Sequence, residues 1–323
     1  MQRTAEGAMR AAIRCDARAQ YLCYPANLGY STAYRERPRD HGPALPRPMA
    51  TDTPTHLPGP PDRLFDAYLF DLDGTVTLGD ALLPTAGETI AWLREQGRRT
   101  LFLSNNPTCT AAEYAARLSR LGLPTPAEDV INSSLVMVDY LRREMPGARL
   151  LVVGEASLCA ELAAAGFDLT DEAAGVDAGR VDAVIASFDR NFTYRKLQAA
   201  FDAIRGGARF FATNGDRFCP TPDGGQPDAA AVIAAIEACT NTPVEAVVGK
   251  PSPIMAAAAL ARLGLPPERC LMVGDRLETD VLFGQNAGMA AALTLTGATS
   301  AAEASASNIR PTYVLRRLSE LVR

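Results

Sequence analysis

The sequence predicts an α/β protein built around a parallel sheet, because short apolar segments alternate with helical segments along most of the chain. The apolar segments, such as Phe65–Phe70 and Thr100–Ser104, show no polar alternation, which is typical of strands buried on both faces. Helical segments separate them, as in the crossover connections between parallel strands. A length of 323 residues and a hydrophobic content of 47% suffice for about two domains.

The predicted elements fall into three blocks. In the first and third blocks, residues 62–147 and 244–323, strands and helices alternate in the same way. The second block, residues 148–243, also contains a turn-rich segment at 214–226. We therefore predict one α/β core interrupted by an inserted α/β domain. The predicted strands lie at 65–70, 100–104, 130–132, 150–153, 184–186, 210–213, 246–248, 271–273 and 291–295, and the predicted helices at 86–96, 110–121, 134–144, 158–165, 193–204, 228–239, 252–263 and 280–285.

The first 61 residues differ from the rest in charge and composition. Residues 1–48 contain eight arginines and four acidic residues, a net charge of +4, which leaves −9 for the remainder of a chain whose net charge is −5. This segment has no apolar run of the kind that a secretory signal needs. We expect a disordered leader over residues 1–61. The mild overall charge and the lack of long apolar runs predict neither nucleic acid nor a membrane as a partner.

Histidine and cysteine usage narrows the chemistry. The chain has two histidines, His41 and His56, and both lie in the leader. The body therefore cannot hold a Ser-His-Asp triad, a Cys-His pair or a histidine-ligated zinc ion. Seven cysteines without a C-x-x-C pair predict free thiols in a reducing cytoplasm. Hydrolysis in such a body must use carboxylates, lysine and a hard metal ion.

Two carboxylates follow the first predicted strand. Asp71 and Asp73 stand in the segment DLDGT, at the carboxyl end of a strand, where open α/β sheets bind ligands. Gly74 allows a tight turn that directs main-chain N–H groups towards an anion. The alternative is an ordinary Asp-Gly turn.

Three further signals follow other predicted strands. Ser104 with Asn105 offers a hydroxyl and an N–H group to a phosphate oxygen, and Lys250 offers a cation. Asp275 offers a hard oxygen ligand, with Asp280 one helical turn later. Each has a plain alternative: a polar turn, a solvated lysine, or a helix cap at Asp280. Because all four signals follow strands, we expect them at one edge of the sheet.

Taken together, these signals resemble the motifs of the haloacid dehalogenase superfamily of phosphohydrolases. The resemblance covers residues 64–322 and points to subfamily IIA, which includes phosphatases named for 4-nitrophenyl phosphate, phosphoglycolate and ribonucleotide monophosphates. Within the insert, the sequence looks closest to the sugar phosphatases of arabinose operons. The strings that carry the resemblance are 71–76 (DLDGTV), 102–106 (FLSNN), 248–252 (VGKPS), 273–280 (VGDRLETD), 206–217 (GGARFFATNGDR) and 226–228 (QPD).

The resemblance implies a Rossmann-like core with an inserted C2-type cap, and a magnesium-dependent phosphatase of small phosphate monoesters such as sugar phosphates. Asp71 would be the nucleophile that forms an aspartyl-phosphate, and Asp73 the general acid and base. In the cap, Asn214 and Asp216 are candidates for substrate contact, with plain turn residues as the alternative. The other implied site residues are Leu72, Ser104, Asn105 and Lys250 for the phosphate, Asp71, Asp73 and Asp275 for Mg²⁺, and Asp280 for the water molecules around that ion.

Several other functions stay open or are disfavoured. A phosphotransferase or mutase with the same nucleophile is the main alternative. A non-enzymatic aspartyl-phosphate receiver is disfavoured by the position of Asp71 on the first strand and by the large insert. The spacing of Cys270 and Arg276 fits the C-x5-R pattern of cysteine phosphatases, but the residues that follow Cys270 form a predicted strand rather than an anion-binding loop. From the resemblance we also expect a small phosphorylated metabolite as the substrate, and homodimers.

Overall fold

The computed structural model describes residues 57–170, 181–221 and 224–322, so most of the predicted leader lies outside the described residues. The strands are β1 (Ala67–Asp71), β2 (Thr77–Leu78), β3 (Ala81–Leu82), β4 (Arg99–Ser104), β5 (Val130–Asn132), β6 (Arg149–Val153), β7 (Asp168–Leu169), β8 (Ala183–Ala186), β9 (Arg209–Ala212), β10 (Phe218–Thr221), β11 (Gly224–Pro227), β12 (Ala246–Val247), β13 (Cys270–Gly274), β14 (Ala290–Thr294) and β15 (Tyr313–Leu315).

Helices connect most of these strands. The α-helices are α1 (Ala86–Glu95), α2 (Ala111–Arg120), α3 (Ser133–Glu144), α4 (Ala156–Ala164), α5 (Tyr194–Arg205), α6 (Ala229–Thr240), α7 (Pro253–Leu263), α8 (Leu282–Asn286) and α9 (Ala301–Ala306). Short 3-10 turns lie at Ala127–Asp129, Pro267–Arg269 and Leu318–Leu321, and a π-helical turn lies at Leu277–Val281. No helix among the described residues is long and apolar enough to cross a membrane.

The first sheet has six parallel strands in the order β15-β14-β13-β1-β4-β5. Its central strand, β1, is buried on both faces: Ala67 and Leu69 belong to one apolar cluster, and Tyr68 and Phe70 to another. This explains why the segment reads as a continuous apolar run. The polar residue that ends β1, Asp71, is therefore carried to the carboxyl edge of a fully buried strand.

The second sheet has five parallel strands in the order β12-β9-β8-β6-β7. We call this sheet, its helices α4 to α6 and the hairpin β10–β11 the cap, and the first sheet with its helices the core. One apolar cluster contains residues of both: Leu69 and Met137 of the core, and Ile185 and Phe211 of the cap. The Tyr140 ring of α3 packs edge-to-face on Phe211, with ring centroids 5.6 Å apart. Apolar contacts thus join the cap to α3 on one side.

Three sequence-based expectations differ from the structure. The predicted strand at 246–248 was assigned to the core, but Ala246–Val247 pairs with β9 of the cap. An apolar run does not specify which strand it pairs with. The hydrogen bonds to β9 also continue past the end of β12, because the N–H groups of Val248 and Gly249 donate to the carbonyls of Ala212 and Thr213. The turn-rich segment 214–226 contains the antiparallel hairpin β10–β11.

The third difference concerns the helix predicted at 280–285. Asp280 lies inside the π-helical turn, and α8 begins only at Leu282. The reason is local: the Asp280 carboxylate accepts a hydrogen bond from the Arg276 N–H (3.0 Å), four residues earlier. Asp280 is therefore not a helix cap, and its other oxygen accepts a hydrogen bond from Lys250 (2.7 Å).

Candidate active site

The strand-end residues predicted from the sequence meet at one place: Asp71, Ser104 and Lys250 line a cavity, and Asp275 lies beside Asp71. Asp71 ends β1, Ser104 ends β4, and Asp275 follows β13, all at the carboxyl edge of the first sheet. The cavity has a volume of about 40 Å³, and cap residues form one of its sides. Its lining residues are Asp71, Asp73, Ser104, Asn105, Asn106, Lys250, Arg276, Thr279 and Asp280 from the core, and Asp216, Phe218, Cys219 and Asp228 from the cap.

Lys250 lies at the centre of this site and is 2% exposed. Its ammonium group donates to Asp71 Oδ1 and, over 2.7 Å, to Asp280 Oδ1. Burial alone would lower the pKa of Lys250, but the charges of Asp280 and Asp71 raise it above its ordinary value. The lysine is therefore a fixed cation that holds the two carboxylates.

Three carboxylates surround that cation. Oxygen atoms of Asp71, Asp275 and Asp280 lie within 4.8 Å of one another. Burial, and then the charges of Asp280 and Asp275, raise the pKa of Asp71 against the opposing effect of Lys250. Burial and the charge of Asp280 raise the pKa of Asp275 to about 6. One ammonium group does not balance three carboxylates, so the site favours a further cation.

Asp275 shows how such a cation would be held. Its Oδ2 accepts a hydrogen bond from the Ala298 N–H (2.6 Å), while its Oδ1 is buried and has no hydrogen-bond partner. A buried carboxylate oxygen without a partner is costly unless a ligand satisfies it. Carboxylate oxygens are the ligands that Mg²⁺ prefers, so the residues present fit that ion.

Glycines make room for these acidic side chains. A Cβ at Gly297 would lie 2.0 Å from Asp275 Oδ2, and one at Gly74 would lie 2.4 Å from the same atom. A Cβ at Gly274 would lie 2.2 Å from the Cβ of Asp280. Gly74 also has a φ of +94°, which other residues rarely adopt. The glycines next to the motif carboxylates are therefore a steric requirement of the site.

Asn105 holds the main chain of Lys250. Its side-chain oxygen accepts from the Lys250 N–H (2.7 Å), and its amide nitrogen donates to the Lys250 carbonyl (3.0 Å). The same nitrogen lies 3.2 Å from both carboxylate oxygens of Asp216. The side chain thus links Lys250 to the cap. Because its side chain is used in these contacts, the phosphate contact predicted for Asn105 would have to come from its main chain.

The two other predicted core residues also lie on the cavity. Ser104 Oγ accepts from the Asn106 N–H (3.1 Å) and donates to the Tyr114 hydroxyl (3.4 Å). Asp73 accepts a long hydrogen bond from Thr77 Oγ1 (3.4 Å). Burial raises the pKa of Asp73, although the Arg117 charge opposes the shift. The side chain of Leu72 is buried in the core, so any phosphate contact would come from its main chain.

Of the two candidates in the cap, the structure places one on the cavity. Asp216 lines it, and burial raises the pKa of this carboxyl group. Asn214 is fully buried instead, which corrects its assignment as a substrate contact. Its amide nitrogen donates to Asp228 Oδ1 (3.1 Å), and its oxygen accepts from Thr213 Oγ1 (2.9 Å). Asn214 therefore supports Asp228, which does line the cavity.

Sequence reasoning also missed the contact that closes the cap over the core. The Arg276 guanidinium lies 5.1 Å from the centroid of the Phe218 ring and donates to the Phe218 carbonyl (3.3 and 3.4 Å). Asn106 donates to the Cys219 thiol (3.6 Å) beside it. Arg276 stands within the Gly-Asp motif, but its partner lies 58 residues away, so no local pattern indicates the pair.

Comparisons with known proteins now place the chain. Residues 68–168 match a family model described as haloacid dehalogenase-like hydrolase, and residues 247–321 match one described as HAD-hydrolase-like. The sugar-phosphatase AraL of Bacillus subtilis is 37% identical over 255 residues, which cover 79% of this chain and 91% of that protein. The chain belongs to the haloacid dehalogenase-like hydrolases. The predicted family is thereby confirmed.

Further relatives of this haloacid dehalogenase-like hydrolase agree. Chronophin of Rattus norvegicus is 37% identical, over 79% of this chain and 86% of its own length. The solved 4-nitrophenylphosphatase of Thermotoga maritima has a TM-score of 0.74 and 33% identity, covering 80% of this chain and 96% of its own. A glycerol phosphate phosphatase of Mycobacterium tuberculosis, solved with magnesium, has a TM-score of 0.72 and 35% identity, covering 80% and 76%. The predicted fold and enzyme class, a phosphoric monoester hydrolase, are confirmed.

The Asn105 contacts generate a testable prediction. Asn105→Ala leaves the buried N–H and carbonyl groups of Lys250 without partners, each at a cost of about 1–3 kcal/mol. We expect a lower denaturant midpoint and a fall in kcat of about tenfold or more, because Lys250 loses its fixed position. The control is Asn286→Ala, which removes an exposed amide bonded to Pro251. An Asn105→Ala protein with the midpoint and kcat of the control would contradict this role.

Proposed function

We propose that the chain hydrolyses phosphate monoesters of small metabolites, sugar phosphates among them, through an aspartyl-phosphate on Asp71 and with the help of Mg²⁺. The observation that supports this most is the buried ammonium group of Lys250 between Asp71 and Asp280, with Asp275 beside them. A cation so placed can hold a carboxylate ready and neutralise a phosphoryl group next to it. The relatives named sugar phosphatase and acid sugar phosphatase favour sugar phosphates.

In the first step, an oxygen of Asp71 attacks phosphorus and the bond from phosphorus to the ester oxygen breaks. Asp73 gives its proton to the departing alcohol, so burial that raises its pKa suits this role. In the second step, water attacks the phosphorus of the aspartyl-phosphate, and Asp73 takes the proton. The bond to Asp71 breaks and inorganic phosphate leaves. Lys250 and Ser104 hold the phosphoryl oxygens during both steps.

Asp71, Asp275 and the carbonyl of Asp73 are the groups that would hold Mg²⁺, with Asp280 beside them. When bound, the ion supplies positive charge that offsets repulsion between the carboxylates and the phosphate. The cluster in the structure is defined by side chains, and it contains Asp280 rather than Asp73. Asp280 bonds to Lys250 and to the Arg276 N–H. We therefore propose that Asp280 positions its neighbours.

The cap limits the size of the substrate. The cavity has a volume of about 40 Å³ and cap residues form one of its sides, so we propose that the cap moves away for a substrate to enter and then closes. Closure excludes bulk water from the aspartyl-phosphate and places cap residues against the alcohol. This arrangement favours small metabolites over phosphorylated proteins. A cytoplasmic location and a homodimer remain predictions.

Phosphate release from a panel of sugar phosphates tests the activity. We expect release by the wild type, and a loss on the order of a thousandfold or more in Asp71→Asn, because the amide cannot form the acyl phosphate. Asp139→Asn is the control, since Asp139 is exposed on α3. Activity that survives in Asp71→Asn would refute the nucleophile. Transfer of the phosphoryl group to a second sugar, without free phosphate, would favour a phosphotransferase.

Thermal unfolding tests the metal site without an activity assay. Mg²⁺ that binds the folded state stabilises it by about 2.7 kcal/mol at a hundredfold excess over Kd, so the Tm of the wild type should rise by several degrees. Asp275→Asn should lose most of this shift, because it removes a charge from the cluster. Glu278→Gln is the control, an exposed acid in the same turn. An equal Mg²⁺ shift in Asp275→Asn and the control would place the ion elsewhere.

A further inference from the structure

Asp228 is a carboxylate with no evident structural need for its charge. It is the N-cap of α6 and accepts hydrogen bonds on one oxygen, Oδ1, from the Ala229 N–H (2.5 Å) and from Asn214 (3.1 Å). A neutral side chain such as Ser or Asn caps a helix equally well. The residue is 3% exposed, and no lysine or arginine among the described residues lies within ion-pair distance of it. Its second oxygen, Oδ2, accepts no hydrogen bond from the described part of the chain.

The position of Asp228 relates it to the alcohol part of a substrate. It lines the cavity together with Asp71 and Asp73. Cys219 also lines this cavity: burial, and then the charges of Asp73 and Asp228, raise the pKa of its thiol to about 11. Asp73 is the proposed donor to the departing alcohol, and Asp228 faces the same cavity from the cap. Its open oxygen is available to whatever that alcohol carries.

The charged residues that the cap contributes to the cavity lining are both acidic. Asp216 and Asp228 both come from the cap, and Arg276 of the core donates to the Phe218 carbonyl rather than to either carboxylate. The Arg276 charge opposes the rise in the pKa of both carboxyl groups. Burial raises the pKa of Asp228 to about 6, so the carboxyl group is still ionised at pH about 8.

We infer that Asp228 selects the alcohol part of the substrate: its open oxygen accepts a hydrogen bond from a hydroxyl group and repels a second anionic group. This inference rests on the proposed function and names the substrate class for it. The class is phosphate monoesters of neutral, hydroxyl-bearing alcohols, as opposed to esters whose alcohol carries a carboxylate or a second phosphate. A buried acceptor discriminates strongly, because a wrong partner leaves it either unpaired or against a like charge.

Two substrates that differ at one group provide the test. Glycerol 3-phosphate and 3-phosphoglycerate share the ester and the neighbouring hydroxyl, but one ends in a hydroxymethyl group and the other in a carboxylate. At pH about 8 we expect kcat/KM of the wild type to favour glycerol 3-phosphate by about tenfold or more. In Asp228→Asn this ratio should fall by about tenfold, because the Asn side chain still caps the N-terminus of α6 but carries no charge.

Control variants separate selection from stability and net charge. Asp182→Asn removes a charge from an exposed cap residue bonded to the Arg149 N–H, and should leave the ratio unchanged. If Asp228→Asn does not fold, Asp228→Ser retains a helix cap and serves in its place. Thermal unfolding of each variant verifies that the protein is folded as stably as the wild type.

The outcomes distinguish this inference from the proposed function. A wild type that hydrolyses 4-nitrophenyl phosphate yet shows equal kcat/KM for the two esters would overturn the role of Asp228, as would an unchanged ratio in Asp228→Asn. A wild type that releases no phosphate from any of the three esters would instead contradict the proposed function. A preference for glycerol 3-phosphate that Asp228→Asn abolishes and Asp182→Asn retains would support the inference.

Discussion

The ion pairs of the buried Lys250 determine how the rest of the site is built. Three carboxylates and one ammonium group lie out of bulk water, an arrangement that costs free energy unless every charge is paired or hydrogen-bonded. Asp280 meets this demand by bonding to Lys250 and to the Arg276 N–H. Asp71 meets it through Lys250, and Asp275 only in part, because one of its oxygens lacks a partner. That remaining deficit is the observation behind the proposed metal site.

The same demand extends outward to the cap. Lys250 holds its position because Asn105 bonds to its main chain, and Asn105 in turn bonds to Asp216 of the cap. Around the cavity the cap and core meet through polar contacts such as Arg276 with Phe218. On the far side they meet through the apolar cluster near Phe211. Individual polar contacts contribute about 1 kcal/mol, so we expect the cavity side to open more readily than the apolar side.

The positions of the site residues in the core were predictable from the sequence, because each depends on a local pattern. A buried strand reads as an apolar run, and a polar residue directly after it must lie at the sheet edge, as Asp71 and Ser104 do. Lys250 follows the same logic only in part, because the strand before it, β12, pairs with the cap sheet. Strand pairing depends on partners far away in sequence, which no local pattern specifies.

The cap residues were less predictable for the same reason. Asn214 and Asp228 are both polar residues near turns, and only the packing of α6 decides that the first is buried and the second faces the cavity. The hairpin β10–β11 brings Phe218 to Arg276 across the domain boundary, a contact without a sequence signature. The proposed specificity therefore depends on long-range contacts, whereas the proposed phosphoryl chemistry depends on strand ends.

Trapping the phosphoenzyme tests the central claim most directly. The wild type would be mixed with substrate and Mg²⁺, quenched in acid within one turnover, and digested with trypsin to give the peptide of residues 64–94, which contains Asp66, Asp71, Asp73 and Asp80. Mass spectrometry with fragmentation then locates any added phosphoryl group. We expect it on Asp71 alone. A phosphoryl group on another residue, or none in a turnover that releases phosphate, would contradict the account.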